Sequence, residues 1–200
     1  MKIGFIFECG PQGADKQVCE FLARKIRPEI TPVSRTLDNK PSLLQECGRV
    51  TANLLNDGCE RVLIIWDLRP AWPDKKKCRK AERDAALKSL SNAGIMEKPV
   101  FLVCVEQELE SWLLADEKKI SAYLSTAAHP YVAHRVNNPD RIPNPKAVMI
   151  NHFKDAPGKE RYNDRIHAIK VLTAGDTNLK KLRRSPSFAR FESKLLNLLA

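Results

Sequence analysis

The sequence predicts a soluble α/β protein, in which a parallel sheet flanked by helices is followed by a helical extension. Two observations carry this reading. Short β-branched or aromatic runs alternate with segments of helical period across residues 2 to 125, and such alternation implies right-handed crossovers between parallel strands. Beyond a proline-rich stretch at 129–146 the period is helical only. Two hundred residues, 43% of them hydrophobic, are enough to bury a sizeable core. The expected division is an α/β core over 1–128 and a helical extension over 129–200.

Residues 2 to 7 form a β-branched and aromatic run ended by Glu8, after which Gly10, Pro11 and Gly13 punctuate a turn. Val18, Phe21, Leu22 and Ile26 recur at helical spacing, predicting a helix over 14–27 that stops before Pro28. Residues 30–35 are a weaker strand candidate. Leu43, Leu44, Cys47, Val50, Leu54 and Leu55 predict a helix over 42–56, stopped by Asp57-Gly58. Val62 to Trp66 is a continuous apolar run of the kind buried on both faces of a sheet, and it ends at Asp67.

Pro70 and Pro73 mark a loop, then a basic helix is expected from about Asp74 to Ala93. Val100 to Val105 is a second doubly buried strand, ending at Glu106 and leading into a helical stripe of Leu109, Trp112 and Leu113. In the extension, Tyr162, Ile166, Ile169 and Leu172 are expected to share one helical face. Phe188, Phe191, Leu195 and Leu198 share another, after a Ser185-Pro186 start signal.

The N-terminal apolar run is broken by Glu8 and is too short for a signal peptide, and no stretch is long enough to span a membrane, so a cytoplasmic location is expected. Six scattered cysteines without a Cys-x-x-Cys pair read as free thiols, and the four dispersed histidines do not complete a zinc set. Trp66 and Trp112 read as core, while Trp72, flanked by prolines, is open between core and cleft. A formal net charge of +10 favours polyanions, DNA or RNA. The excess gathers in Lys75, Lys76, Lys77, Arg79, Lys80 and Arg83 and again in Lys180, Lys181, Arg183 and Arg184, although solvated helix faces would look the same.

Carboxyl ends of neighbouring parallel strands face a common crevice. Glu8, Asp67 and Glu106 each close an apolar run, so the sequence places a carboxylate at three such ends. Clustered carboxylates repel unless a cation neutralises them, and an oxygen-only set suits Mg2+ or Mn2+. The same acids would also serve as simple caps at the positive ends of the following helices.

Glu8, Asp67-Leu68-Arg69, the run Glu108-Leu109-Glu110-Ser111-Trp112-Leu113-Leu114-Ala115-Asp116, and the tail Arg184-Ser185-Pro186-Ser187-Phe188-Ala189-Arg190-Phe191-Glu192 together resemble the DUF4276 family of Toprim-like proteins. The resemblance implies magnesium-dependent phosphodiester chemistry, as in the nuclease domains of overcoming-lysogenization-defect proteins. It implies Glu8 as general acid/base or metal ligand, Asp67 as the first acid of an Asp-x-Asp motif, and Glu108 or Glu110 as a further acid. Glu8, Asp67 and Glu110 would then hold the metal, and Arg69, Lys75, Lys76, Lys77 and Arg79 would meet the nucleic acid. It further implies an ATPase partner in bacterial defence against phage. Arg69 stands where the broader pattern has its second aspartate; it cannot bind metal but suits a phosphate, which disfavours a two-metal mechanism.

Two other readings stay open at this point. One is a regulatory subunit with a degenerate site that binds nucleic acid or a partner. The other is a hydrolase using Cys9, which would need a depressed thiol pKa and a nearby base. Gly10-Pro11-Gln12-Gly13 lacks the rest of a P-loop and reads as turn geometry. Assembly into a homo-oligomer is left open.

Overall fold

The computed structural model describes residues 1–69, 79–95 and 99–198. The chain divides into two compact units, one of Met1–Val105 with Arg190–Ala200 and one of Glu106–Ala189. The division expected at residue 129 falls inside the second unit.

The first unit is a four-stranded parallel sheet with helices: β1 (Lys2–Phe7), α1 (Ala14–Ile26), β2 (Thr31–Thr36), α2 (Lys40–Asn56), β3 (Arg61–Asp67), α3 (Arg79–Asn92) and β4 (Val100–Val105). The order across the sheet is β2-β1-β3-β4, with every pair parallel. Strands β1 and β3 are thus central, whereas the wholly apolar run of β4, expected to be buried on both faces, lies at the edge with Val100, Phe101 and Leu102 only half-buried. Both faces of β1 and β3 are covered, which is why five consecutive residues in each are buried.

Ile6, Val62, Ile64, Trp66 and Cys104 pack with Leu43, Cys47, Val50 and Leu54 of α2 and Ala86 and Leu90 of α3 in one hydrophobic cluster. Alternate residues Phe5 and Phe7 take the opposite face and stack with centroids 6.1 Å apart. Helices α2 and α3 approach closely because Gly48 has no side chain. A Cβ there would lie 2.0 Å from the carbonyl oxygen of Ser89, while the Gly48 N–H donates to Ser89 Oγ at 3.0 Å. Helix α2 begins two residues earlier than its apolar pattern predicts, since the Asn39 side chain caps it by accepting from the Ser42 N–H.

The second unit is helical: α4 (Glu110–Leu114), α5 (Glu117–Leu124), a 3-10 turn at Pro139–Arg141, α6 (Pro145–Asp155), α7 (Asp164–Leu172), α8 (Leu179–Leu182) and the start of α9 (Pro186–Leu196). Trp112 meets Phe188 edge-on at 5.5 Å, and Phe153 packs on Tyr162 and His167. Two expectations need correction. Tyr162 precedes α7, which Asn163 caps, so it does not belong to a helical stripe. Ile166, placed on that stripe, is 46% exposed, and the face that turns inward carries His167, Ala168, Val171 and Leu172. The helix starts at Asp164, after the first member of the expected stripe, and the side that packs inward is not the one the spacing marked. Among the described residues no helix is long and apolar enough to cross a membrane.

Candidate active site

The parallel pairing of β1 with β3 runs from Ile3 opposite Arg61 to Phe7 opposite Ile65, so both strands end at the same edge. Glu8 leaves β1 there and Asp67 closes β3. The two meet: Glu8 Oε1 accepts a hydrogen bond from the Asp67 backbone N–H at 3.1 Å. The second carboxyl oxygen, Glu8 Oε2, is sealed from solvent and has no hydrogen-bond partner among the described residues. Burial pushes this carboxyl up to about 8, with Lys40 and the Asp67 N–H opposing the rise and the charges of Asp15 and Glu82 adding to it.

Glu8 lines a cavity of about 280 Å³ together with Cys9, Asp15, Asp38, Asn39, Lys40 and Pro41. Directly after Cys9 the chain makes the Gly10–Gly13 turn, closed by a Gly13 N–H to Gly10 carbonyl bond of 2.8 Å. A side chain at Gly13 would put Cβ 2.4 Å from both Cβ and Sγ of Cys9, so the turn can close only on glycine. The segment is thus a turn, as its sequence indicates, and Gly13 packs against Cys9, which lines the cavity. Cys9 does not fit the nucleophile reading: burial and the nearby Asp15 push its thiol up to about 12, which keeps it protonated at neutral pH.

A buried ion pair lies beneath the acidic edge. Lys40 Nζ stands 3.3 Å from Glu82 Oε1 and donates to the Leu68 carbonyl at 3.2 Å; both charged residues are 5% exposed. The indole N–H of Trp66 donates to Glu82 Oε2 at 2.9 Å. The Lys40 ammonium thus fixes the carbonyl that follows Asp67 and holds the end of β3 to the start of α2. Sequence reasoning missed both members. Lys40 sits outside the apolar repeat of its helix and Glu82 lies in a basic one, so each reads as a solvated charge until the helices are packed. The visible trace is the weakness of α3, whose inward face is Glu82, Ala86 and Leu90.

Arg69 follows Asp67 by two residues and is half-buried, and Arg79 is exposed at the first position of α3. Lys75, Lys76, Lys77 and Trp72 lie outside the described residues. Glu106 follows β4 directly. Among the described residues no three carboxylate, histidine or cysteine side chains gather into a ready metal set. A sealed, unpartnered carboxyl oxygen beside a cavity carrying two more carboxylates nevertheless fits Mg2+, which takes one or two protein carboxylates and fills its other positions with water and phosphate oxygens.

Glu108 and Glu110 belong to the second unit, where the described contacts join them around Lys146. Glu108 Oε2 accepts from the Lys146 N–H at 3.3 Å and so caps the first turn of α6. Glu110 is buried; its Oε1 accepts from the Tyr162 hydroxyl at 3.3 Å and lies 3.9 Å from Lys146 Nζ. Lys146 also reaches Asp164 at 2.6 Å. Burial alone would lower the Lys146 ammonium, but its bond to Asp164 and the charge of Glu110 raise it. Asp164 is lowered in turn: the Lys146 bond and charge outweigh its burial.

The tail motif has a structural role in the same unit. Asp140 is buried; its Oδ1 accepts from Ser185 Oγ at 2.6 Å and Ser187 Oγ at 3.1 Å, and its Oδ2 accepts from the Ser187 N–H at 2.7 Å. The Trp112 indole donates to Ser187 Oγ at 2.8 Å, so the tryptophan of one motif and the serine of the other form one network.

A family model described as a domain of unknown function, DUF4276, matches residues 12–196. No curated protein and no solved structure matches the chain.

Proposed function

Because this chain belongs to the DUF4276 family, a domain of unknown function, and because Glu8 and Asp67 meet at adjacent strand ends, we propose that it is a Mg2+- or Mn2+-dependent nuclease working at that edge. The observation that carries the reading is the Glu8 carboxyl, bonded through one oxygen, sealed at the other and pushed up to about 8. A group poised near the working pH holds a proton and exchanges it readily, as general acid-base catalysis requires.

Glu8 is assigned the proton transfer at the leaving oxygen of the phosphodiester. Asp67, joined by Glu8 when ionised, would hold the divalent cation, which when bound supplies positive charge to the phosphoryl oxygens. Arg69 offers a planar fork matched to phosphate, and Arg79 with Lys75, Lys76 and Lys77 extends the basic surface toward the DNA or RNA backbone. Lys40 keeps the Asp67–Arg69 segment in place through the Leu68 carbonyl. In this reading Glu108 and Glu110 organise Lys146 and Tyr162 within the second unit. Work beside an ATPase in defence against phage rests on the Toprim-like resemblance alone.

The test is a titration of Mg2+ and Mn2+ with end-labelled DNA and RNA, comparing the natural chain with Glu8→Gln and Asp67→Asn. Cleavage that needs metal and is lost in both variants is the expected result. Metal-dependent cleavage that survives both substitutions overturns the assignment. Arg69 in the place of a second aspartate favours a second reading, a non-catalytic binding subunit. Tight nucleic-acid binding without cleavage, with or without an ATPase, would establish that one instead.

A further inference from the structure

Strand β4 is an edge of the four-stranded sheet. Two hydrogen bonds bracket its pairing with β3, from the Val62 N–H to the Pro99 carbonyl and from the Leu68 N–H to the Val105 carbonyl, both 2.8 Å. In a parallel ladder alternate residues direct both backbone groups to the same neighbour, so positions 99, 101, 103 and 105 face β3. Val100 and Leu102 therefore turn their N–H and C=O groups away from the sheet. Among the described residues nothing pairs with those groups. Unpaired strand backbone is a template for another extended chain.

Beside this backbone lies a cavity of about 270 Å³, lined by Val100, Phe101 and Leu102, by Leu87 and Leu90 of α3, and by two cations, Arg83 and Lys194. That three consecutive strand residues line it places it along the strand edge rather than over one face. Arg83, Leu87 and Leu90 fall on one side of α3 by their spacing of four and three. Lys194 of α9 holds its ammonium 5.5 Å from the Phe101 ring centroid. Neither cation has an ion-pair partner among the described residues. The edge thus combines unpaired amides, an apolar floor and an uncompensated positive rim.

We propose that the β4 edge is a docking site for an extended, acidic segment of a partner protein, which adds as a fifth strand. Its backbone would pair with Val100 and Leu102, its apolar side chains would cover Phe101, Leu87 and Leu90, and its carboxylates would meet Arg83 and Lys194. A second copy of this chain fits poorly, because a net charge of +10 and two cations at the rim repel an identical edge. A nucleic acid fits poorly as well: a phosphate backbone offers no donors for the Val100 and Leu102 carbonyls and no cover for the apolar floor.

The test selects random octapeptides displayed on phage against the whole chain, with counter-selection on the Arg83→Glu, Lys194→Glu double variant. The best sequence is then synthesised and followed by fluorescence anisotropy and backbone amide shifts. Acidic and apolar residues should alternate in the selected peptides. Affinity should fall at least tenfold on charge reversal and again when alternate peptide amides are N-methylated, and the largest shifts should fall at Val100 and Leu102. The double variant should keep an unfolding midpoint close to that of the natural chain, because neither cation has an ion-pair partner among the described residues and Lys194 gives up only its contact with the Phe101 ring. No enrichment over the charge-reversed chain overturns the proposal, as do affinity indifferent to N-methylation and shifts centred elsewhere. It is equally overturned if the natural chain dimerises through β4 in sedimentation, or if an oligonucleotide shifts these amides where no peptide does.

Discussion

The Glu8 carboxylate accepts the backbone N–H of Asp67 across the ends of two adjacent parallel strands, at 3.1 Å. One bond thereby ties together residues 59 positions apart and gives the acid a fixed direction, while burial denies its other oxygen any partner among the described residues. The consequence is a carboxyl that resists ionisation in the folded chain alone.

Glu8 should make stability fall as pH rises in metal-free buffer. Its folded value, about 8, exceeds the ordinary carboxylate value of 4.5, so between those limits the folded state holds a proton that the unfolded state has lost. Its contribution is fully present below pH 4.5 and lost as pH climbs through 8. Denaturant unfolding at pH 5 and 8.5 should show this decline in the natural chain and a flatter dependence in Glu8→Gln, which keeps the acceptor for Asp67. In the metal-dependent cleavage assay, Glu8→Gln should lose on the order of 10²-fold or more, the usual worth of a positioned proton-transfer group.

Breaking the Lys40–Glu82 pair should be costly. Both residues are 5% exposed, and removing one member of a buried pair leaves an uncompensated charge, typically a loss of about 3–5 kcal/mol. Lys40→Met and Glu82→Leu should each lower the urea midpoint by a corresponding amount. The double variant should lose clearly less than the sum of the two, because it leaves no orphaned charge.

Gly48→Ala should destabilise the packing of α2 on α3. The added methyl would meet the Ser89 backbone carbonyl at 2.0 Å, and backbone, unlike a side-chain tip, cannot swing aside. A loss of about 1–3 kcal/mol or more is expected for such overpacking, against the small gain that Gly→Ala brings in an open helix. Thermal unfolding of the two chains checks it.

Asp140→Ala should lower stability by at least about 2 kcal/mol, since it removes a helix cap and strands buried donors of Ser185 and Ser187. Asp140→Asn should recover little, because its amide turns a donor toward groups that already donate. Amide exchange at Ser187 and Phe188 would report the release of the α9 start locally.

Glu117 should support the second unit at neutral pH and fail it in acid. Burial would raise its carboxyl, but hydrogen bonds from Arg184 and Lys181 prevail and hold it down at about 2. Its stabilising contribution is therefore present above pH 4.5 and lost as pH falls toward 2. The group is partly solvated, so the effect is modest. Acid titration followed by circular dichroism should show a shallower loss in Glu117→Gln.

The acidic edge was legible because each of its members ends an apolar run, and run endings are local events. Glu8 and Asp67 could be paired from sequence once a parallel sheet was inferred. Lys40 and Glu82 could not, since nothing in the helical period of either segment distinguishes a buried charge from a solvated one. Glu110 illustrates the same limit. Its motif marks it as important, yet its contacts with Tyr162 and Lys146 depend on where α6 and the turn before α7 pass. Ile166 shows a related failure: its spacing from Tyr162 marked an inward face, but Tyr162 lies before the helix and packing buries His167 and Ala168 instead.

By itself the sequence determined the alternation of strands and helices, the doubly buried character of β3 and the carboxylates at the ends of β1 and β3, because burial and periodicity are written in neighbouring residues. Only the tertiary structure decided that one sealed oxygen of Glu8 would have no hydrogen-bond partner among the described residues, that Lys40 would meet Glu82 across 42 positions, and that β4 would lie at an edge of the sheet. Those outcomes depend on the order of strands and the register of packed helices, which are properties of the whole assembly of elements and not of any segment within it.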